Sequence, residues 1–569
     1  EIHPMRSDLR LYIFASKAHT FSMTEALAAT PASADAAGAP PRRAWIALGV
    51  LAAGLGMIVL DGTIVGVALP DIIGDLHLDL TEAQWVSSLY AVLLAALLLS
   101  TGKLADRWGR KRLFLIGVAV VVAASAWAAS ADSGAALISA RAAQAVGAAL
   151  IMPSTLSTVN ATFRGRYRAA AFGIWGAVIS GAAAIGPLVG GALTQYASWQ
   201  WVFLVNLPLG AAIFALGVWV VPETRGSGFR RGADVDGALL SAIGFGTLVF
   251  AIIEGPDLGW LTPKADFSIG GWVWPKTAAV SIVPVCLAVA VVALTLFVVW
   301  ERHRERVQRD ALLDLSLFRL RTFSWGNLTA ATVAVGEFAL IFVLPLYLTA
   351  SVGLTIMQTG LVLAAMAIGA FASGAAARHL AARFGAPGTV MIGLALEVVG
   401  VLALTLVVSA SASGWLLAVP LVVYGLGLGL ASAQLTGTVL RDVPVAVSGQ
   451  GSATQSTVRQ IGSALGTALA GAALSVSLAL TLPRALADGG VSEPLATQLA
   501  ETTRVSARTI ITQLRAQGTA SSLGAQTDAA VQALASGFAE ATRWSLLVAA
   551  LFLVLGLVGA VRLRSIDRR

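Results

Sequence analysis

Four charged residues stand inside long apolar stretches of this 569-residue chain: Asp61, Arg141, Glu337 and Glu397. Glu254 and Arg459 sit nearer the ends of such stretches. Charge within lipid-spanning sequence is costly, so each is a candidate for function. Asp61 lies about eight residues before the expected outer end of the first stretch. Arg141 lies about seven residues into the fourth. At ~1.5 Å per residue both sit ~10–12 Å below the outer surface, where facing helices would let them pair. Burial and a neighbouring cation act on such an acid in opposite senses, which can poise it to take up and release a proton. Proton coupling is one reading of the pair, and a helix–helix staple is the other. Glu337, near the middle of the ninth stretch, is followed by Phe338, Phe342 and Tyr347. A carboxylate among aromatic rings suits an organic cation through charge and cation–π attraction. It can equally serve as a second protonation site. No G-x-x-x-x-G-K-[ST], H-E-x-x-H or G-x-S-x-G occurs, and the lone Cys286 cannot form an internal disulfide, so neither ATP drive, a metal site nor an enzyme is expected.

The elements that must hold these residues are membrane-spanning helices. The chain is 57% hydrophobic and only 12% charged, about half the charge of soluble domains. Fourteen runs long enough to cross a bilayer recur between residues 44 and 562. With the N-terminus inside, Arg and Lys collect on the inner loops, while the first outer loop is acidic: Asp71, Asp75, Asp79 and Glu82. That asymmetry predicts an even number of spans and both termini in the cytoplasm, and it argues against nucleic acid as the target of the basic charge. The expected division is a disordered tail (1–43), a six-helix bundle (44–221), an inserted helix pair with linkers (222–322), a second six-helix bundle (323–562) and a short inner tail (563–569). A long outer segment, 482–540, interrupts the second bundle. Its apolar residues recur at helical spacing, which fits a surface helix capping the outer mouth.

An internal echo supports two related halves. Leu104-Ala105-Asp106-Arg107-Trp108-Gly109 follows the second span, and Leu380-Ala381-Ala382-Arg383-Phe384-Gly385 follows the tenth. Transporters are often built from such repeats, with the binding site between them. The segment Gly102 to Arg112, containing Asp106, Arg107, Gly109 and Arg110, closely resembles the signature between the second and third spans of the major facilitator superfamily. Leu60 to Pro70 resembles the first-span motif of its fourteen-span branch, in which Asn often stands where Gly66 does here. Arg141, Gln144 and Gly147 resemble the fourth-span motif. Gly181, Gly186, Pro187, Gly190 and Gly191 resemble the fifth-span antiporter motif, and Trp199, Trp201, Phe203, Asn206, Pro208 and Gly210 the entry to the sixth span. Leu344 to Tyr347 and Arg459 to Gly462 are weaker matches.

The resemblance implies an all-α major facilitator fold and a drug:proton antiporter of the bacterial inner membrane. It implies a monomer driven by the proton gradient without a cofactor, whose partners are protons, small amphipathic compounds and lipid. Cargo such as a lipid, a siderophore or an endogenous antibiotic, and proton symport, stay open. By the same resemblance the first, fourth, ninth and twelfth spans line the cavity. Asp61, Arg141 and Glu337 are then candidates for coupling, and Glu337, Phe338, Tyr347, Gln144 and Trp175 for the substrate cavity. Gly102 to Arg110 form the gating loop, with Asp106 as its latch. Glu397 is placed on a peripheral span, in packing or against a neighbour.

Overall fold

A computed structural model describes residues 40–163, 165–225, 234–269, 272–307, 309, 311–444, 448–506, 509–521 and 523–567. The expected tail falls almost wholly outside these residues. The described residues are mostly helical: α1 (Arg42–Asp75), α2 (Leu80–Trp108), α3 (Arg110–Ala129), α4 (Gly134–Thr162), α5 (Gly165–Tyr196) and, after one helical turn at Trp201–Leu204, α6 (Asn206–Val220). Next come α7 (Val235–Leu258), a two-stranded hairpin of β1 (Phe267–Ile269) and β2 (Trp272–Trp274), and α8 (Ile282–Arg306). The remainder is α9 (Arg321–Ala350), α10 (Ile356–Phe384), α11 (Ala386–Val407), α12 (Gly414–Val439), α13 (Ser448–Asp488), α14 (Glu493–Ser506), α15 (Thr509–Gln517) and α16 (Thr527–Asp567). Thirteen of these helices are long and apolar enough among the described residues to cross a membrane. The other expected span is α5, a 32-residue helix many of whose side chains lie outside the description.

Local chemistry fixes the helix ends. Asp79 and Glu82 form a reciprocal capping box at the start of α2, and Thr355 and Gln358 another at the start of α10. Both copies of the sequence echo end on a glycine at positive φ, Gly109 (112°) closing α2 and Gly385 (76°) closing α10. A side chain at either would be strained. The first outer loop is shorter than its acids suggested. Pro70 lies within α1, which continues to Asp75, so Asp71 and Asp75 are helical. Asp61 is therefore fourteen residues from the end of its helix, about 21 Å, and not the eight expected. Within the expected outer segment, 482–540, α13 persists to Asp488 and α16 begins at Thr527, so both of its ends are helical.

Helices α1–α6 pack among themselves, as do α9–α13 with α16, and α7 and α8 pair with each other while α7 rests on α2 and α13. The two six-helix groups meet along α5 against α10 and α2 against α13. One apolar core runs through both groups. From the first it takes Ile64, Leu69, Ile72, Leu80, Val86 and Phe203, which lie toward the end carrying α14 and α15. A second core, including Leu48, Leu51, Leu94, Phe114 and Ile151, belongs to the first group alone and lies toward the opposite, basic end. The groups thus share a hydrophobic seam at the capped end.

Glycines make the seam possible. A β-carbon on Gly191 would stand 3.2 Å from the Ile356 carbonyl oxygen, and one on Gly360 only 2.7 Å from that of Pro187. The adjacent face of α5 lies against α1: a β-carbon on Gly186 would overlap Thr63 Oγ1. Gly181, by contrast, has nothing within 4 Å of that position, so close approach of helices does not explain it.

The cap is tied down by charge. Arg504 of α14 donates to Asp257 (2.7 Å), at the end of α7, and to Glu501 (2.8 Å), while Thr81 of α2 donates to the other Asp257 oxygen (2.6 Å). Arg515 of α15 donates to the Ser351 carbonyl beyond α9 (3.2 Å).

Gly186→Val is expected to cost about 1–3 kcal/mol through overpacking, read as a lower Tm in detergent, while Gly181→Ala leaves Tm unchanged. Arg504 hydrogen bonds hold the Glu501 carboxyl below its ordinary value. The stabilisation this gives α14 is present above the unfolded carboxylate range and is lost as pH falls through the folded-state value. Amide protection factors in α14 should drop on acidification through that window, and Arg504→Ala should lower them already at neutral pH. Protection that is flat with pH and unchanged in the variant would contradict this.

Candidate functional site

Five helices converge on one carboxylate. Asp61, halfway along α1, is 2% exposed and pairs directly with Arg141 of α4 through Nη1. Gln144, one turn on along the same face of α4, donates to Asp61 Oδ1 (3.1 Å), and Asn206 at the start of α6 donates to the same oxygen (2.8 Å). Ser125 of α3 accepts from both amides, at 2.8 and 3.2 Å. Arg141 also donates to Gln144 Oε1 (2.9 Å) and to the Val86 carbonyl of α2 (3.4 Å), and its guanidinium lies 4.3 Å from the Tyr90 ring centre. A buried ion pair repays its desolvation only when further hydrogen bonds satisfy its remaining donors and lone pairs. Here three donors meet the two carboxylate oxygens.

Sequence depth paired Asp61 with Arg141, and the two do meet; Gln144 was offered only with the fourth-span motif and as a cavity residue. Sequence spacing did not find Ser125 or Tyr90, and it offered Asn206 only as part of a motif. Their signal was the presence of polar groups in apolar helices. Gln144 is 1% exposed and fully engaged, so it braces the pair and does not line an open cavity.

The second group holds a different arrangement. Glu337 of α9 is 4% exposed and accepts from Arg459 Nη2 of α13 at 3.2 Å. The Arg459 side chain is 47% exposed, so this pair has one sealed and one open member. Arg459, placed near a span end from sequence, is in fact the counter-charge of Glu337, because α13 begins well before the apolar run. Phe338 is half-buried beside it. Tyr347 does not join the cavity: it is fully buried, donates to the Ser409 carbonyl (2.7 Å) and accepts from the Ser409 amide (3.1 Å). It ties α9 to the end of α11 at the capped end. The side chains of Trp175 and Asp106 lie outside the described residues.

The gating segment is mostly helix. Gly102 to Arg107 belong to α2, where a β-carbon on Gly102 would stand 3.4 Å from Pro153 and Arg107 is exposed, and only Gly109 makes the turn. Around it the Glu223 carboxylate fills the space a β-carbon would need and accepts from the Lys111 amide (3.2 Å). Arg110 donates from its side chain to the Ser157 carbonyl and from its amide to the Thr224 carbonyl, both at 3.0 Å. These bonds fasten the turn to α4 and to the strand of chain leaving α6. Lys103 reaches the Ala311 carbonyl on the linker before α9. At the second copy, a β-carbon on Gly385 would meet Pro387 at 3.9 Å and, among the described residues, no acid.

The profile of the Major Facilitator Superfamily matches this chain twice, over residues 46–245 and 230–467. The chain is 33% identical over 429 residues to the methylenomycin A resistance protein of Bacillus subtilis, covering 75% of this chain and 87% of that protein. It is 34% identical over 433 residues to the multidrug efflux pump LfrA of Mycolicibacterium smegmatis, covering 76% and 81%. In three dimensions it is similar to a bacterial homologue of the human lysosomal transporter Spinster, crystallised inward-facing and unoccupied. That match has a TM-score of 0.58 and 18% identity and covers 92% of this chain and 99% of that one, a likeness of fold.

Arg141→Ala leaves the Asp61 carboxylate buried without its counter-charge, an expected loss of about 3–5 kcal/mol. Adding Asp61→Ala should recover much of it. Thermal unfolding of the two variants in detergent measures both, and a double variant no more stable than Arg141→Ala would show that the pair is not the cause.

Proposed function

We propose that this chain, which belongs to the major facilitator superfamily and is a multi-pass membrane transporter and not an enzyme, exports small amphipathic drug-like molecules in exchange for protons. The observation that carries the proposal is the sealed Asp61–Arg141 pair, a titratable acid held by one cation at the meeting of five helices. A protonated Asp61 would no longer hold Arg141. The guanidinium would keep Gln144 Oε1, the Val86 carbonyl and the Tyr90 ring, while α1 lost its ionic tie to α4 and kept the Gln144 hydrogen bond. Since α1 also lies against the glycine face of α5, a shift of α1 reaches the seam where α5 meets α10. Proton uptake from one side would thereby loosen the capped end and admit exchange there.

Glu337 is the proposed contact for a cationic cargo, with half-buried Phe338 beside it. A cargo cation competes with Arg459 for the Glu337 carboxylate, and Arg459 has solvent to move into. The loop charges favour the capped end outside, the basic end and both termini in the cytoplasm, and a bacterial inner membrane as the setting. No cofactor enters this scheme: the proton gradient supplies the drive, and a monomer suffices. Relatives concerned with methylenomycin A and with multidrug efflux support an exporter of antibiotic-like molecules.

In energised inverted vesicles, ethidium should dissipate ΔpH with the wild-type protein and fail to do so with Asp61→Asn. ΔpH unmoved by any cationic compound in wild type would sink the antiport reading and leave lipid or metabolite export as the cargo to test.

A further inference from the structure

The linker from the inserted helix pair to α9 passes over two buried acids that the export scheme does not use. Glu301 opens the polar tail of α8, Glu301 to Arg306, just beyond its apolar run, and is 0% exposed. Asp234 caps the start of α7 and is 4% exposed. The two helices pack along each other, and the two carboxyl groups meet over Gly237. A β-carbon there would stand 2.6 Å from Glu301 Oε1 and 2.9 Å from Asp234 Oδ2.

Two of the four oxygens are served by donors. Asp234 Oδ1 accepts from the Gly237 amide (2.9 Å) and from Trp300 Nε1 (2.8 Å), and Glu301 Oε2 accepts from the Leu313 amide on the linker (3.1 Å). The two oxygens nearest Gly237, Glu301 Oε1 and Asp234 Oδ2, have no hydrogen-bond donor. Arg304 Nε, 3.2 Å from Asp234 Oδ2, gives that acid a counter-charge without the alignment of a hydrogen bond. Lys103 of α2 also acts on Glu301, from its place on the Ala311 carbonyl. On α13, which also packs on α7, Arg459 is on Glu337, and Arg484 and Asp488 lie at the far end. Asp236, Arg302, His303, Glu305 and Arg306 are exposed, and Asp314 is turned to Ser316. Two carboxylate oxygens buried together without a donor are costly. A proton on Glu301 removes that cost: its O–H donates from Oε1 to Asp234 Oδ2, and every oxygen of both groups then has a partner. Burial pushes the Glu301 carboxyl up to about 7, in the same sense.

From this geometry we infer that Glu301 and Asp234 share one proton, which clasps the α9 linker to the inserted pair at the basic end of the molecule. Nothing in this clasp depends on which cargo is carried or in which direction. The linker is held from two sides, by Lys103 of the gating segment at Ala311 and by Glu301 at Leu313. A neutral Glu301 stays in place. An ionised Glu301 is a buried anion against Asp234, and moving out to water takes it off the Leu313 amide. The proton's exit is short, because Arg302 beside Glu301 and Asp236 beside Gly237 are both exposed. Opening returns Glu301 to its ordinary carboxylate value. Rising pH therefore favours opening progressively from that value up to the raised one, and no further above it.

The test is amide hydrogen exchange of the full-length protein in detergent, read at the peptide containing Leu313 and corrected for the intrinsic exchange rate. Wild-type protection should fall about tenfold for each pH unit between about 5 and about 7, then level off. In Glu301→Gln the side-chain amide can donate to Asp234 while its carbonyl accepts from Leu313, so protection should stay high and flat with pH. Flat protection in wild type, or a fall in Glu301→Gln equal to that of wild type, overturns the inference. Infrared difference spectra across the same pH range should show a protonated-carboxyl band in wild type that Glu301→Gln lacks. Identical spectra place the proton elsewhere and overturn it too. Should Glu301→Gln not fold, Asp234→Asn serves: removing the second acid must move the midpoint of the infrared band to lower pH, and an unmoved midpoint shows that the two acids share no proton.

Discussion

An ion pair removed from water, Asp61 with Arg141, sets the terms for the first half of this molecule. Several kcal/mol of desolvation per ion must be offset locally, and surface helices could not do it. The offset comes from Gln144, Asn206, Ser125, the Val86 carbonyl and the Tyr90 ring, contributed by α2, α3, α4 and α6. Each of those helices must hold its position for the pair to survive. The pair therefore acts as the pin of the six-helix group, and a proton is the smallest ligand able to withdraw it.

The second constraint is steric. Lipid offers no hydrophobic drive between helices, so association depends on close packing. Glycines supply it here at three places with different consequences. On α5 they allow contact with α1 and, across the seam, with α10. On α12, Gly425 and Gly429 meet the backbone of α10 while Gly427 meets α11, which locks the inner layers of the second group and buries Glu397. At Gly109 and Gly385 positive φ turns the chain between helices. The seam contact is the one that must part for the capped end to open. Arg504 adds an external tie there, joining α14 to α7, which itself rests on α2 and α13.

The two halves, similar in sequence echo and helix order, treat charge differently. The first seals acid and base together. The second seals the acid and leaves the base, Arg459, half in the open. In the proposed scheme the sealed pair answers to protons, and the exposed guanidinium yields its carboxylate to a larger cation. The asymmetry extends to the turns: Gly109 is gripped by Glu223 and its counterpart Gly385 is not.

Much of this was legible in the sequence. Hydropathy and loop charge gave an all-α membrane protein, because lipid forces backbone hydrogen bonds inside each span and writes that demand into runs of apolar residues. Asp61 and Arg141 were identifiable because charge is rare in such runs, and the turn at Gly109 because its echo recurs at Gly385. What the sequence could not carry was azimuth. Hydropathy marks which residues lie in the membrane but not which helix each one faces, so Ser125, Asn206 and Tyr90 joined the Asp61 cluster only in three dimensions. Aromatic character suggested a cavity for Tyr347, but its hydroxyl is spent on Ser409. Helix ends moved wherever polar sequence continued a helix beyond the apolar run, as in α1 and α13. Glu397, expected on a peripheral helix in packing or against a neighbour, lies buried where α11 packs on α12; rotation about the helix axis, which the packing fixes, decides that.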